Sequence, residues 1–218
     1  MKSELTKQIH NVGIIAVLTI DQPEHAVSTA SALLKGGINA IELTLRTPVA
    51  LEALRRIKAE IPEMIVGAGT VLTTNQVQEA AANGAQFGLA PGFNRQVVRE
   101  AQNIGLPFLP GIATPSDIEQ ALALDCRILK FFPSEPSGGL VYLKSIAAPY
   151  AHLDIRYIPL GGINSNNINE YLAEPLILAA GGSWIAPRKL IQNQDWSTIT
   201  KNALETRKII KKYRTGEF

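Results

Sequence analysis

Arg127-Ile128-Leu129-Lys130-Phe131-Phe132-Pro133-Ser134-Glu135 places one lysine inside an apolar run that a proline closes. The run reads as a buried strand. Its period-two alternation sets Ile128, Lys130 and Phe132 on one face and Leu129 and Phe131 on the other, so Lys130 cannot turn toward water without carrying its neighbours along. Burial disfavours an ammonium relative to the neutral amine, and a nucleophile is therefore expected here near neutral pH. A strand-end lysine can also snorkel its charge to solvent. The stretch alone leaves both readings standing.

Outward from this strand, one unit recurs. Residues 12–18 are a β-branched run, followed by Pro23-Glu24-His25-Ala26 opening an alanine-rich segment that ends at Gly36-Gly37. That is a strand, then a helix with proline in its first turn and glycine at its end. The pattern repeats as strand 40–45 and helix 48–60, 64–67 and 75–83, 86–90 and 95–104, and 107–109 and 115–124. It continues as 128–132 and 140–147, 155–160 and 166–172, and 176–180 with a helical tail. Eight such units with short loops and no proline-, glycine- or serine-rich linker predict an α/β fold, a single (β/α)8 TIM barrel. Residues 1–218 then form one domain, with 1–11 as an N-terminal helix capping the barrel mouth. An open doubly wound sheet is the alternative, and its sign would be a glycine fingerprint after the first strand. Gly13 stands alone there.

The 218 residues are 46% hydrophobic and 18% charged, with a formal net charge of +2, and no basic run is interleaved with aromatics. A nucleic-acid partner is not expected. The first residues carry acid and lack the apolar core of a secretory signal, and 12–20 is too short to span a bilayer. A cytoplasmic protein without membrane association is expected. The single cysteine, Cys126, excludes an intramolecular disulfide, and the three histidines show no metal-ligand spacing. No metal is expected.

Barrel active sites lie at the C-terminal ends of the strands, so polar residues there carry most weight. In Ile41-Glu42-Leu43-Thr44-Leu45-Arg46-Thr47 the alternation gathers Glu42, Thr44 and Arg46 on one face. If the apolar face meets the helices, a carboxylate and a guanidinium point into a lumen normally filled by branched apolar side chains. They need either a ligand or each other, as a structural Glu42–Arg46 ion pair. Val66-Gly67-Ala68-Gly69-Thr70 lets a ligand approach the backbone and leaves a hydroxyl at the rim. Pro91-Gly92 and Pro110-Gly111 are equally readable as plain turns. Gly161-Gly162 and Gly181-Gly182, after the last two strands, stand where this architecture cradles phosphate, or are two tight turns.

A buried lysine, a carboxylate, an arginine and a distal phosphate cradle suit Schiff-base aldol chemistry. Lys130 attacks a 2-keto group; the resulting iminium accepts the electrons as the C3–C4 bond breaks, and the enamine is protonated and hydrolysed to pyruvate. The iminium is itself the electron sink, so no metal or other cofactor is called for. Glu42 would relay protons, and Arg46, with Thr70, would hold the keto-acid carboxylate.

With these residues in place, the chain resembles the 2-keto-3-deoxy-6-phosphogluconate aldolases, also called 4-hydroxy-2-oxoglutarate aldolases. The matching motifs, in order, are Gly36-Gly37, Ile41 to Thr47, Val66-Gly67-Ala68-Gly69-Thr70-Val71-Leu72, Pro91-Gly92, Pro110-Gly111, Lys130-Phe131-Phe132-Pro133, Gly161-Gly162-Ile163 and Gly181-Gly182-Ser183-Trp184. The resemblance implies a homotrimer of barrels acting on a phosphorylated 2-keto acid. It maps the imine lysine to Lys130 and the proton-transfer glutamate to Glu42. Substrate contacts map to Arg46, Thr70 and Phe132, and the phosphate to Gly161, Gly162, Gly182 and Ser183.

Two departures stand out. Leu160 occupies the place of a threonine usual in the family, and Ser134 that of an alanine. A missing hydroxyl donor at a buried polar site costs on the order of 1–3 kcal/mol, and sister aldolases acting on the galactonate epimer carry an aliphatic residue there. The epimer is thus the nearest alternative substrate. A phosphosugar isomerase or epimerase, or a catalytically silent phospho-ligand binder, are the rival functions.

Overall fold

A computed structural model describes residues 4–214. Met1–Ser3 of the expected capping helix, and residues 215–218 of the expected domain, lie outside the described residues. The first helix, α1 (Glu4–Val12), buries Ile9 and Val12. The chain then alternates parallel strands and helices: β1 (Ile14–Leu18), α2 (His25–Lys35), β2 (Ala40–Thr44), α3 (Ala50–Glu60), β3 (Ile65–Gly69), α4 (Thr74–Ala82), β4 (Phe87–Leu89) and α5 (Arg95–Asn103). It goes on through β5 (Phe108–Leu109), β6 (Gly111–Ile112), α6 (Pro115–Leu122), β7 (Ile128–Phe131), α7 (Gly139–Ala147), β8 (Arg156–Pro159), α8 (Ile168–Leu172), β9 (Ala180–Gly182), α9 (Arg188–Gln192) and α10 (Trp196–Ile210). Helix entry is chemically marked: Thr73 and Thr114 each form a reciprocal capping box, with Gln76 and Asp117.

The strands form two parallel sheets, of order β5-β4-β3-β2-β1-β9 and β6-β7-β8, where one ring of eight is the sequence expectation. Pro110 is one reason. It has no N–H to donate, and it separates β5, which lies within the expected fifth strand at 107–109, from β6, which the sequence reading did not include. The other break lies between β8 and β9, where pairing is confined to a bridge between Tyr157 and Ile177, with Tyr157 N–H donating to Leu176 O and Leu178 N–H to Tyr157 O, each at 2.9 Å. The architecture is therefore a curled parallel sheet flanked by helices. β2 lies centrally in the larger sheet and all five of its residues are buried.

Small residues in the strands make room for large ones. Phe87 fills the space beside Gly67, where a β-carbon would lie 2.3 Å from its ring. Among the described residues no helix is long and apolar enough to cross a membrane.

Candidate active site

β2 and β7 bring the two ionisable groups together. Lys130 Nζ donates to Glu42 Oε1 at 3.1 Å, with the lysine 5% and the glutamate 1% exposed. Lys130 does not snorkel. Its backbone N–H donates to the Pro110 carbonyl at 2.9 Å, and its ammonium stands 5.2 Å from the Phe132 ring centroid, within cation–π range. Pro133 follows Phe132 through a cis peptide and ends the strand.

Glu42 owes its position to its neighbour in β3. Register sets Thr44 opposite Gly69, and a β-carbon on Gly69 would lie 2.1 Å from Glu42 Oε1. The other carboxylate oxygen, Oε2, is buried and receives no hydrogen bond among the described residues. A buried acceptor without a partner calls for a ligand or water donor.

The Glu42–Arg46 ion pair considered from sequence is not formed. Arg46 Nη2 donates to Thr19 Oγ1 at 2.7 Å and Nε to Thr44 Oγ1 at 3.2 Å. Among the described residues no carboxylate pairs with Arg46.

These groups face a cavity of about 230 Å³ at the C-terminal ends of the strands. Glu42, Arg46, Thr70, Lys130 and Phe132 line it together with Gly161, Gly162, Gly182 and Ser183, so every residue singled out from sequence meets there. A wider depression of about 450 Å³, around Asn39, Glu63 and Arg207, lies at the opposite ends of the strands and lacks this constellation. Among the described residues no three His, Cys, Asp or Glu side chains gather as a metal site.

Thr70 has φ 58°, a left-handed conformation that is strained for a β-branched residue, by roughly 1–3 kcal/mol, and that concentrates at functional sites. Gly161 and Gly162 have φ 90° and 88°, which only glycine adopts freely. Their N–H groups donate to no acceptor among the described residues, which suits an anion. The segment after β7 holds this turn in place, since Ser134 N–H donates to Leu160 O at 2.7 Å and Glu135 N–H to Gly161 O at 3.0 Å. Ser134, the residue that departs from the usual alanine, is fully buried. Its hydroxyl meets Tyr171 Oη at 2.9 Å, and Tyr171 donates to Glu135 Oε1. Burial, then the Glu135 contact, push the Tyr171 phenol up, so it remains a donor.

Leu160 is buried and lines the cavity, its Cγ 2.6 Å from where a β-carbon on Gly181 would stand. At the rim, Arg188 Nε donates to Asp21 Oδ2 at 2.8 Å, tying the loop after β1 to the segment after β9. This hydrogen bond chiefly draws the Asp21 carboxyl below its ordinary range, against the opposing effect of burial.

Sequence reasoning missed Thr19 and Val17, and carried Ile163 within a motif without giving it a place in the site. Val17 and Ile163 line the cavity but look like ordinary strand and turn residues. Thr19 follows an apolar strand, where a β-branched residue is unremarkable; its hydroxyl meets that of Thr44 on the adjacent strand at 3.1 Å, a contact that only the pairing of β1 with β2 brings about. Pro91, of the Pro91-Gly92 pair equally readable as a plain turn, also lines the cavity.

The chain is similar to known proteins. Residues 5–202 match the family model "Aldolase: KDPG and KHG aldolase". A 2-dehydro-3-deoxy-phosphogluconate aldolase of Treponema pallidum (strain Nichols) is 44% identical over 202 residues, covering 93% of this chain and 95% of that protein. The crystal structure of a KDPG aldolase from Legionella pneumophila, with pyruvate captured as a covalent carbinolamine intermediate, superposes with a TM-score of 0.88 at 37% identity, covering 94% of this chain and 98% of that one. That of the Zymomonas mobilis ZM4 aldolase with 3-phosphoglycerate gives 0.86, also at 37% identity, covering 93% and 94%. A buried lysine–glutamate pair at one cavity with an arginine and a double-glycine turn, on a chain that matches the family model over residues 5–202, makes this chain a member of the KDPG and KHG aldolase family.

Proposed function

We propose that this chain is a class I aldolase that cleaves 2-dehydro-3-deoxy-6-phosphogluconate to pyruvate and glyceraldehyde 3-phosphate, and that also acts on 4-hydroxy-2-oxoglutarate, giving pyruvate and glyoxylate. One observation carries the reading: Lys130 and Glu42, 3.1 Å apart, are buried at one cavity with Arg46 and the Gly161-Gly162 turn.

Glu42 takes a proton from Lys130, and the freed amine adds to C2 of the keto acid as a carbinolamine. Glu42 returns that proton to the departing hydroxyl, and loss of water leaves an iminium beside a carboxylate. The C4 hydroxyl then gives up its proton to Glu42, the C3–C4 bond breaks, and its electron pair runs into the iminium to give an enamine while the aldehyde departs. Protonation at C3 and hydrolysis release pyruvate and restore Lys130. Glu42 Oε2, without a protein donor, is the oxygen available to the substrate hydroxyl or to a relaying water. Arg46 and Thr70 hold the carboxylate, Phe132 packs beside the imine, and Gly161, Gly162, Gly182 and Ser183 hold the phosphate. The iminium serves as electron sink, so the mechanism takes no metal or cofactor.

The carbinolamine in the Legionella relative favours this chemistry over an isomerase or a silent binder, neither of which uses an imine. The gluconate names of the relatives favour that substrate over the galactonate epimer. We further place the chain in the cytoplasm as a homotrimer of closed (β/α)8 barrels, each formed by one domain over 1–218. Closure is supported by the continuity of β5 into β6 across Pro110 and by the Tyr157–Ile177 bridge; trimerisation is supported by family resemblance, and light scattering tests it.

Borohydride reduction in the presence of pyruvate is the deciding experiment. A stable three-carbon adduct on Lys130 is expected, and wild-type protein that acquires none sinks the proposal.

A further inference from the structure

We propose that Thr19, together with Thr44, forms a hydroxyl bracket that aims Arg46 at the carboxylate of the 2-keto acid, which makes Thr19 a positioning residue for substrate affinity. This deepens the aldolase reading above and rests on it.

The argument lies in the direction of four hydrogen bonds. A threonine hydroxyl has one proton to give and two lone pairs to receive with. Thr44 Oγ1 gives its proton to the Leu18 carbonyl, at 2.9 Å. In its 3.1 Å contact with Thr19 Oγ1 it must therefore accept, and Thr19 must donate. Each hydroxyl has then committed its proton away from Arg46, and each presents a lone pair to the guanidinium: Thr19 to Nη2 at 2.7 Å and Thr44 to Nε at 3.2 Å. One carbonyl at the end of β1 thus sets the polarity of the whole bracket. Both threonines are buried, 9% and 3% exposed, so solvent competes weakly for these bonds.

Two consequences follow for the ligand. Contacts at both Nε and Nη2 fix the plane of the guanidinium, while Nη1 makes no hydrogen bond to the described residues. Of five N–H groups, the bracket uses two and leaves the rest for an incoming carboxylate. Both anchors are also neutral. A carboxylate in their place would cancel the charge that recruits the substrate; Glu42, the acidic side chain at this cavity, is already engaged by Lys130. The bracket holds Arg46 still without neutralising it, and it joins the ends of β1 and β2 across 25 positions of sequence.

The test uses the full chain. Thr19→Val keeps the shape and removes the hydroxyl; Thr19→Ser keeps the hydroxyl; Thr19→Ala is carried alongside, so that a packing fault from valine does not decide the result. KM and kcat for the phosphogluconate substrate, and half-saturating pyruvate for borohydride trapping, are measured for each, with unfolding midpoints. Thr19→Val and Thr19→Ala are expected to raise KM and half-saturation roughly three- to tenfold, with kcat altered less than about twofold, while Thr19→Ser stays close to wild type. In an Arg46→Ala background, Thr19→Val should add nothing, because the two act as one unit. Unchanged half-saturation in Thr19→Val and Thr19→Ala, or an equal loss with and without Arg46, overturns the bracket. Wild-type protein that traps no pyruvate overturns the aldolase reading instead, so the two failures are distinct.

Discussion

Gly69 and Glu42 share one volume: a β-carbon at position 69 would stand 2.1 Å from Glu42 Oε1, 2.4 Å from its Cγ and 2.6 Å from its Cδ. To admit that atom the Glu42 side chain, 1% exposed, must shift from the position in which it meets Lys130. Gly69→Ala is therefore expected to fold and yet lose catalysis, since the contribution of general acid–base transfer runs to about 10²–10⁴-fold. Steady-state kinetics beside a melting curve check this; an alanine variant with wild-type kcat would show that Glu42 can move and still serve.

Lys130 and Glu42 form an ion pair in the interior, and such pairs cost more when broken singly than when removed together. Lys130→Met leaves an uncompensated carboxylate, and about 3–5 kcal/mol of lost stability is expected. Glu42→Gln leaves the ammonium alone, slowing turnover while still permitting some imine formation. Lys130→Met combined with Glu42→Gln should recover most of the stability and none of the activity. Denaturant titration of the three variants reads the pattern, and additive losses in the double variant would contradict it.

Leu160 is one of the apolar side chains, with Val17, Phe132 and Ile163, that line the cavity beside its polar groups. Leu160→Thr restores a hydroxyl and is expected to raise kcat/KM on the gluconate phosphate by roughly tenfold, the lower end of what a buried polar contact supplies, at a modest cost in packing over Gly181. Parallel assays with the galactonate epimer and 4-hydroxy-2-oxoglutarate show whether the gain is selective. Equal change on all three would make the position a general packing site.

Cys126 is buried, and burial, then the neighbouring Asp125, push its thiol up from 9.0 to about 11. The folded chain therefore holds the proton more tightly than the unfolded one. The resulting stability is fully present below about pH 9 and is lost as the pH rises toward 11. Native protein at pH 8 should react slowly with thiol reagents, and denatured protein rapidly; stoichiometric labelling of the native chain within minutes would contradict this burial.

Much of the layout is legible from residue pattern alone, for physical reasons that also mark where it stops. The alternation in β2 carries information because a strand offers only two faces, so Glu42, Thr44 and Arg46 share one side whatever surrounds them. Lys130 stands out because an ammonium in an apolar run must be resolved somehow. The partner of each group is not legible. Arg46 could satisfy itself locally with Glu42, and only the approach of β1 and β7 shows that Thr19 takes the arginine and Lys130 takes the glutamate. Strand limits fail for a similar reason. Residues 107–109 read as the whole of the fifth strand, but the continuation after Pro110 depends on pairing with β7, in which the proline still accepts from Lys130 through its carbonyl. Ser134 looked like a loss of family pattern, and its meaning lies in Tyr171, 37 positions away.

Thr70 sits at φ 58°, where glycine would rest at ease. Thr70→Gly should raise the unfolding midpoint by a degree or more as the backbone relaxes, while weakening the grip on pyruvate; no rise in midpoint would show that the neighbours already absorb the torsion. Durability and ligand hold are thus set against each other at a single residue, and a variant chosen only for heat tolerance would be drawn to discard the side chain that the chemistry needs.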